Sequence, residues 1–466
     1  MILPLVHEIH YKAPQEVFAF FKENEGAIFL DSAQERKGCG RYSFIAIDPF
    51  LTLSCKNGVI TKNNDTFLGN PFEILEKELQ KFSQSVLPNL PPFQGGVAGY
   101  FGYELSQHLE KIPLHSTDDM NFPDMILGFY DVVIAFDTIE NRAWIFSTGF
   151  PLLEKSARLV RAKERLDLMI EHLIKLPNSH SAEPLNTVFN RDQIISNFTE
   201  KNYCLAVEKV IDYILAGDIF EANISQRFRA KLPDNFSPFK LYKKLCQINP
   251  APFSAYLNFG NIKIISASPE RFLKLDSGVI ETRPIKGTRR RGKTKEEDES
   301  LANELVQSKK DHAENVMIVD LLRNDLSRVS ENHSVQVSQL CGLESYPTVH
   351  HLVSIINGKL RPHLTAIDLL RASYPGGSIT GAPKIRAMEI IAELEPTHRG
   401  PYCGSIGYLS FNGNMDSSIT IRTFCINNNE VTFQVGGAIV ADSNPHEEYQ
   451  ETLTKAYALF KSLTEI

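Results

Sequence analysis

The chain has 466 residues, a formal net charge of −7, and 42% hydrophobic against 23% charged side chains, enough apolar residues to bury a large core. A net negative charge sets up no overall positive field for a phosphate backbone or an anionic membrane, which excludes nucleic acid as the expected partner. Residues 1–10 carry no basic leader with an apolar core, and no charge-free apolar run nears the roughly 20 residues of a membrane helix; the seven cysteines show no Cys-x-x-Cys spacing, so a cytoplasmic protein with reduced, packed cysteines is expected.

In chain order, residues 26–150 alternate short apolar runs with turn signals, as at 28–30, 42–47 and 132–136, which predicts a strand-rich N-terminal portion spanning 1–180. The Gly-rich stretch 94–103 precedes no helix and is read as close backbone packing. A charged amphipathic helix is predicted over 152–176, then a polar linker over 177–184 bounded by prolines. The second portion, 190–466, shows helical periodicity near 198–216, 297–325, 364–373, 383–394 and 445–463, with strand-like runs at 262–267, 406–410 and 431–435. Strands and helices mix without a regular βαβ rhythm, so the fold class is α+β.

Five features of the second portion point to chemistry. Residues 266–272 (Ser-Ala-Ser-Pro-Glu-Arg-Phe) end an apolar strand with Glu270, a candidate general acid or base. The loop 281–292 places Lys286 between Pro-Ile and Gly-Thr among several cations. A lysine attacks only when neutral, and bringing its pKa from about 10.4 to about 7–8 takes roughly 3–4 kcal/mol, which cationic neighbours or burial would supply. The basic run after it, including Arg290, Arg291, Lys293 and Lys295, is read as solvated. Asp311 and Glu314 share a helix face at i,i+3, as do Glu448 and Glu451 on a helix capped by Asn444 with Pro445 at its first position. Two such faces suit a hard cation such as Mg²⁺, which takes one or two carboxylates and keeps positions for water and substrate. Nothing in either spacing says that the two helices meet. The Gly-rich run 374–384 enters a helix at Pro383 and is expected to leave backbone N–H groups free for an anion; Gly436, Gly437 and Ala438 offer a second run of exposed amides.

Taken together, 268–272, 283–288 (Arg-Pro-Ile-Lys-Gly-Thr), 311–325 ending Asp-Leu-Leu-Arg-Asn-Asp, 376–384 and 407–416 (Gly-Tyr-Leu-Ser-x-Asn-Gly-x-Met-Asp) resemble the chorismate-utilising enzymes, closely over 195–464. The resemblance implies two packed β-sheets flanked by helices, as in anthranilate synthase component I. It implies that Glu314 and Glu451, supported by Asp311 and Glu448, hold one Mg²⁺ that grips the ring carboxylate of chorismate. Asp311 stands where the family usually has glutamate. Tyr402 and Arg422 are implied at the pyruvyl carboxylate with the amides of Gly436–Ala438, His351 facing the ring, and Ser378 at a substrate carboxylate.

The branch is implied by Lys286. Aminodeoxychorismate synthases resemble this loop with its lysine, whereas anthranilate synthases carry alanine there. The implied chemistry is attack of Lys286 on carbon 2, loss of the carbon 4 hydroxyl with help from Glu270, then addition of ammonia at carbon 4. Glu221 occupies the place of the water-activating lysine of the isochorismate and salicylate synthases, where amine-using branches usually have glutamine. No cysteine lies in a nucleophile turn, so a separate glutamine amidotransferase is the implied ammonia source. The alternatives are anthranilate synthase component I and a non-catalytic regulatory subunit. Leu30-Asp31-Ser32 departs from the Leu-Glu-Ser motif beside the tryptophan site of some anthranilate synthases.

Overall fold

The structure, a computed structural model, describes residues 3–34, 38–113, 115–176, 189–346 and 349–465. The linker at 177–184 and the boundary between 1–180 and 190–466 lie outside the described residues.

Strand Val132–Asp137 shows why the apolar runs of this chain become doubly covered strands. All six residues are buried; Val132, Ile134 and Phe136 point into a core shared with helices, while Val133 and Ala135 point into a core shared with Ile406 and Tyr408 of another sheet. Successive side chains alternate faces, so a continuous apolar run needs cover on both sides. Strand Met125–Tyr130 repeats the arrangement in the second sheet, with Leu127 and Phe129 toward helices and Ile126 and Tyr130 toward the first sheet.

Among the described residues, two twelve-stranded sheets result. One runs from Leu5–Ile9 to Ile195–Ser196, the other from Ile285–Arg290 to Asp65–Leu68. Both sheets draw strands from either side of 177–188: Ala27–Asp31 pairs with Phe253–Phe259, and Gly96–Phe101 with Ser405–Ser410, all antiparallel. The Gly-rich run 94–103 packs backbone to backbone as expected, since a Cβ on Gly99 would lie 2.1 Å from the Ile126 carbonyl oxygen. Helices Pro14–Phe21, Lys155–Ile174, Pro238–Ile248 and Pro445–Thr464 cover the outer face of the first sheet. Pro71–Leu79, Lys309–Ser327 and Ala366–Ser373 cover that of the second. The fold is α+β with two packed sheets between helical layers.

The helix expected over 297–325 is two helices, Lys295–Gln307 and Lys309–Ser327, broken at Ser308. Ser308 ends the first, and its hydroxyl caps the second by accepting from the Asp311 N–H at 3.2 Å. Three helices escaped the periodicity reading: Pro14–Phe21, Pro71–Leu79 and Pro238–Ile248. Each is short and starts on a proline, and the aromatic residues of the first read equally well as a strand.

Candidate active site

Strand Glu221–Lys231 of the first sheet and strand Ile285–Arg290 at the edge of the second bring Glu221 and Lys286 together. Lys286 Nζ donates to Glu221 Oε1 at 2.7 Å, with both side chains buried. The strand carrying Lys286 breaks register between Ile285 and Thr288, where Gly287 adopts a φ of +86°. Such a bulge re-aims a side chain away from the regular alternation. Lys286 is thereby separated from the arginines that follow it.

Those arginines face other acids: Arg289 pairs with Glu304 at 2.7 Å and Asp311 at 3.1 Å, Arg290 with Glu297 at 2.6 Å, and Arg291 with Asp298 at 2.6 Å. The expected cationic surroundings of Lys286 are therefore corrected to acidic ones. Burial pulls its pKa down, but the charges of Glu221 and Glu314, the hydrogen bond to Glu221 and the charge of Glu270 outweigh that and hold the ammonium above its ordinary value.

Glu270 follows strand Ile262–Ser268 and is fixed by its backbone, whose carbonyl accepts from the Ile419 N–H at 3.1 Å. Its carboxyl is pushed up to about 7 by burial, against a hydrogen bond from Ser378, the charge of Lys286 and the Ile285 N–H. The Gly-rich run 374–384 delivers Ser378. Gly381 and Ala382 pair with Ala222 and Glu221, and a Cβ on Gly381, at φ +145°, would lie 2.1 Å from the Glu221 carbonyl oxygen. Only glycine allows that approach. Asn223 completes the contact, donating to Glu221 Oε1 at 3.3 Å and to the Ser378 carbonyl at 3.4 Å. The amides of this run are spent on internal bonds in part: Ile379 N–H reaches Gly376 O and Thr380 N–H reaches Gly377 O.

The two acidic helices do meet. Lys310 Nζ lies 3.7 Å from Glu448 Oε1, and its charge also acts on Glu314 and Glu451. Glu314 is pushed up to about 7, by burial first and then by the neighbouring Glu221 and Asp311, against Lys286 and Lys310. Glu448 is also raised by burial, although Ser443 donates to it at 2.7 Å. Glu451 is lowered by Lys455, 2.6 Å away. Gly437 backs onto the pair: a Cβ there would stand 3.1 Å from Glu448 Oε2 and 3.7 Å from Glu451 Oε1. Oxygen donors crowded by burial, with Lys310 and Lys455 as ammonium stand-ins, fit a hard divalent cation that retains water. Asp311 is drawn toward Arg289 instead. Among the described residues, the one His/Cys/Asp/Glu set with ligand atoms all within 4.8 Å is Cys55, His108 and Asp124, on the opposite arm of the second sheet.

Arg422 has a φ of +54°, and its guanidinium donates to the Lys455 carbonyl. Burial lowers its pKa, offset by Tyr402 and Glu451, which places these three side chains in one electrostatic neighbourhood. Tyr402 is buried. His351 pairs across strands with Thr288, whose hydroxyl meets its Nδ1 at 2.8 Å.

Gly436, Gly437 and Ala438 depart from the expected open run of amides, because they lie in strand Glu430–Ile439 and pair with Ser225, Ile224 and Asn223. Lys455 Nζ binds the Gly436 carbonyl at 2.9 Å on the side away from that partner. Antiparallel alternation turns the N–H groups of Gly436 and Ala438 to that same side and gives Gly437 to the ladder.

Sequence reasoning overlooked Asn223, Lys310 and Lys455 and left Glu221 without a role. The available signal was an acid and an amide alternating at the start of a strand, and basic residues on otherwise acidic helix faces. A separate cavity of about 830 Å³ is lined by Leu30, Ser32, Arg41, Phe253 and Tyr408, among others. The Asp31 carboxylate is committed elsewhere, accepting from Tyr242 at 2.7 Å, Ser43 at 2.9 Å and Gln15 at 3.1 Å.

A family model described as chorismate binding enzyme matches residues 27–461. The chain belongs to that family of enzymes. Anthranilate synthase component 1 of Acetivibrio thermocellus is 40% identical over 474 residues, covering 100% of this chain and 96% of its own. Aminodeoxychorismate synthase component 1 of Escherichia coli (strain K12) is 40% identical over 442 residues, covering 94% of this chain and 93% of its own. The crystal structure of anthranilate synthase component I from Streptococcus pneumoniae TIGR4 superposes with a TM-score of 0.81 at 34% identity, covering 92% of this chain and 93% of that one. No helix among the described residues is long and apolar enough to cross a membrane.

Proposed function

We propose that this chain is component I of an aminodeoxychorismate synthase, converting chorismate and ammonia to 4-amino-4-deoxychorismate on the route to p-aminobenzoate and folate. The observation that carries this reading is a buried lysine, Lys286, ion-paired to Glu221 and within the electrostatic reach of Glu270, in a chorismate-binding fold. Its amine bonds to ring carbon 2 while the carbon 4 hydroxyl departs as water with the Glu270 proton. Ammonia then bonds to carbon 4 and the carbon 2–nitrogen bond breaks, releasing Lys286. With carbon 2 occupied by the lysine, nitrogen ends at carbon 4 and the pyruvyl group is kept.

Arg422, Tyr402 and the outward amides of Gly436 and Ala438 bind the pyruvyl carboxylate. His351 packs on the ring, and Ser378 orients Glu270 and contacts the substrate. Glu314, Glu448 and Glu451, with Asp311 behind them, would hold Mg²⁺, which would supply a fixed positive charge for the ring carboxylate. A glutamine amidotransferase subunit supplies the ammonia.

Purified protein incubated with chorismate, Mg²⁺ and ammonium should yield 4-amino-4-deoxychorismate, identified by chromatography and mass. The second reading, anthranilate synthase component I, is supported by the equal 40% identity to a relative of that name; anthranilate as product would establish it against the first. Absence of turnover, even with an amidotransferase added, would favour a regulatory subunit. For the metal, Glu314→Gln and Glu451→Gln should each raise the Mg²⁺ concentration for half-maximal rate roughly tenfold or more, on the scale seen when metal-site partners are lost. A double variant with the wild-type Mg²⁺ titration would remove both from the site.

A further inference from the structure

The nucleophile assigned above must be a neutral amine to attack, and in the structure that amine is held in a buried ion pair. Lys286 is 8% exposed, and among the described residues the hydrogen-bond acceptor on its Nζ is Glu221 Oε1 at 2.7 Å. Glu221 is 0% exposed, and its second oxygen, Oε2, is buried without a hydrogen-bond partner. A buried carboxylate oxygen without a hydrogen bond is costly, and it leaves a free lone pair on the acid that Lys286 already touches. The other charges acting on Lys286 are the carboxylates of Glu314, Glu270 and Glu451. Among the described residues, none of these acids makes an ion pair with its Nζ. Glu270 already serves as the acid at carbon 4, and Lys310 acts on Glu314 and Glu451.

We propose that Glu221 is the internal base that takes the proton from Lys286, so that the nucleophile is freed inside the closed site without exchange with solvent. This rests on the reading of Lys286 as the covalent nucleophile. One N–H proton of the ammonium moves to Glu221, and the freed lone pair forms the bond to ring carbon 2. The carbon 4–oxygen bond breaks, and Glu270 protonates the departing hydroxyl to water. When ammonia bonds to carbon 4, the carbon 2–nitrogen bond breaks and Lys286 leaves as the neutral amine. It recovers its proton from Glu221, while the new ammonium on the product returns one to Glu270. Protons and charges therefore balance over the cycle without an external acid or base.

The discriminating measurement is the ratio of wild-type to Glu221→Gln kcat/KM across pH 6 to 8, with ammonium held constant. Glutamine keeps the shape and the hydrogen bond but accepts no proton, so the variant waits for solvent to deprotonate Lys286. The ratio should fall about tenfold for each unit of rising pH, because the wild type already holds its base. Glu221→Asp keeps a carboxylate and should give a constant ratio, whatever its absolute rate. A constant ratio for Glu221→Gln would overturn the proposal, because a residue that only positions Lys286 lowers the rate equally at every pH. Mass spectrometry of quenched wild-type reactions for a substrate adduct on Lys286 runs alongside. An adduct with a constant ratio defeats Glu221 alone; no adduct, with anthranilate as product, defeats the parent reading and the base with it.

Discussion

Lys286→Arg is expected to cut chorismate amination roughly 10³-fold or more, the scale of loss when a covalent nucleophile is removed. Arginine is the informative replacement because it stays charged at any working pH and so keeps an ion pair to Glu221. Alanine would instead leave Glu221, Glu270 and Glu314 buried without their shared cation, and removing one partner of a buried pair costs about 3–5 kcal/mol. A loss of rate in Lys286→Ala alone would thus mix chemistry with folding. Comparing the two separates them: Arg should preserve the thermal midpoint and lose the adduct, whereas Ala should lose both. Any amination left in either variant should shift toward carbon 2, where no lysine now blocks ammonia. Wild-type rate with wild-type product in Lys286→Arg would remove the covalent route from this enzyme.

Local grammar was the legible part of this chain. Asn444 and Pro445 announced the start of helix Pro445–Thr464, and Asn444 Oδ1 does accept from the His446 and Glu447 N–H groups. The doubly buried strands were readable as continuous apolar runs, because both faces had to be covered. Pairings that cross the fold left no comparable trace. Lys286 and Glu221 are 65 residues apart in sequence, on different sheets, and no periodicity in either segment names the other as its partner. The charge environment of Lys286 was misread for a related reason. A linear string of cations says nothing about a bulge at Gly287 that turns one of them inward while the rest find Glu297, Asp298 and Glu304. The Gly436–Ala438 run differs in another way: the amides of Gly436 and Ala438 do face outward, but Gly437 belongs to the ladder, and glycine here lets strand Glu430–Ile439 lie close to the strand beside it. A Cβ on Gly436 would come within 2.5 Å of the Ile224 carbonyl oxygen.

Glu270→Gln carries the second large effect, and it has two signs. As the proposed acid at carbon 4, Glu270 should account for roughly 10²–10⁴ in rate, so the glutamine variant should lose that factor. A carboxyl pushed up to about 7 is about half protonated at neutrality, and wild-type kcat/KM should fall tenfold per unit above that value. The same variant should be more stable at alkaline pH. Between an unfolded value near 4.5 and the folded value of about 7, the native state holds a proton that the unfolded chain has released. Stability therefore declines as pH rises through that window, and the full penalty, about 3 kcal/mol, is present above it. Glutamine has no proton to lose, so the stability gained by the variant over wild type should grow by about that amount from pH 4.5 to pH 8 in urea unfolding. Glu314 and Glu104, also pushed up to about 7, remain in both proteins and largely cancel in the difference. A variant that keeps the alkaline fall in kcat/KM would show that another group donates the proton. One with a pH-independent stability difference would show that Glu270 titrates in the folded protein as it does in the unfolded chain.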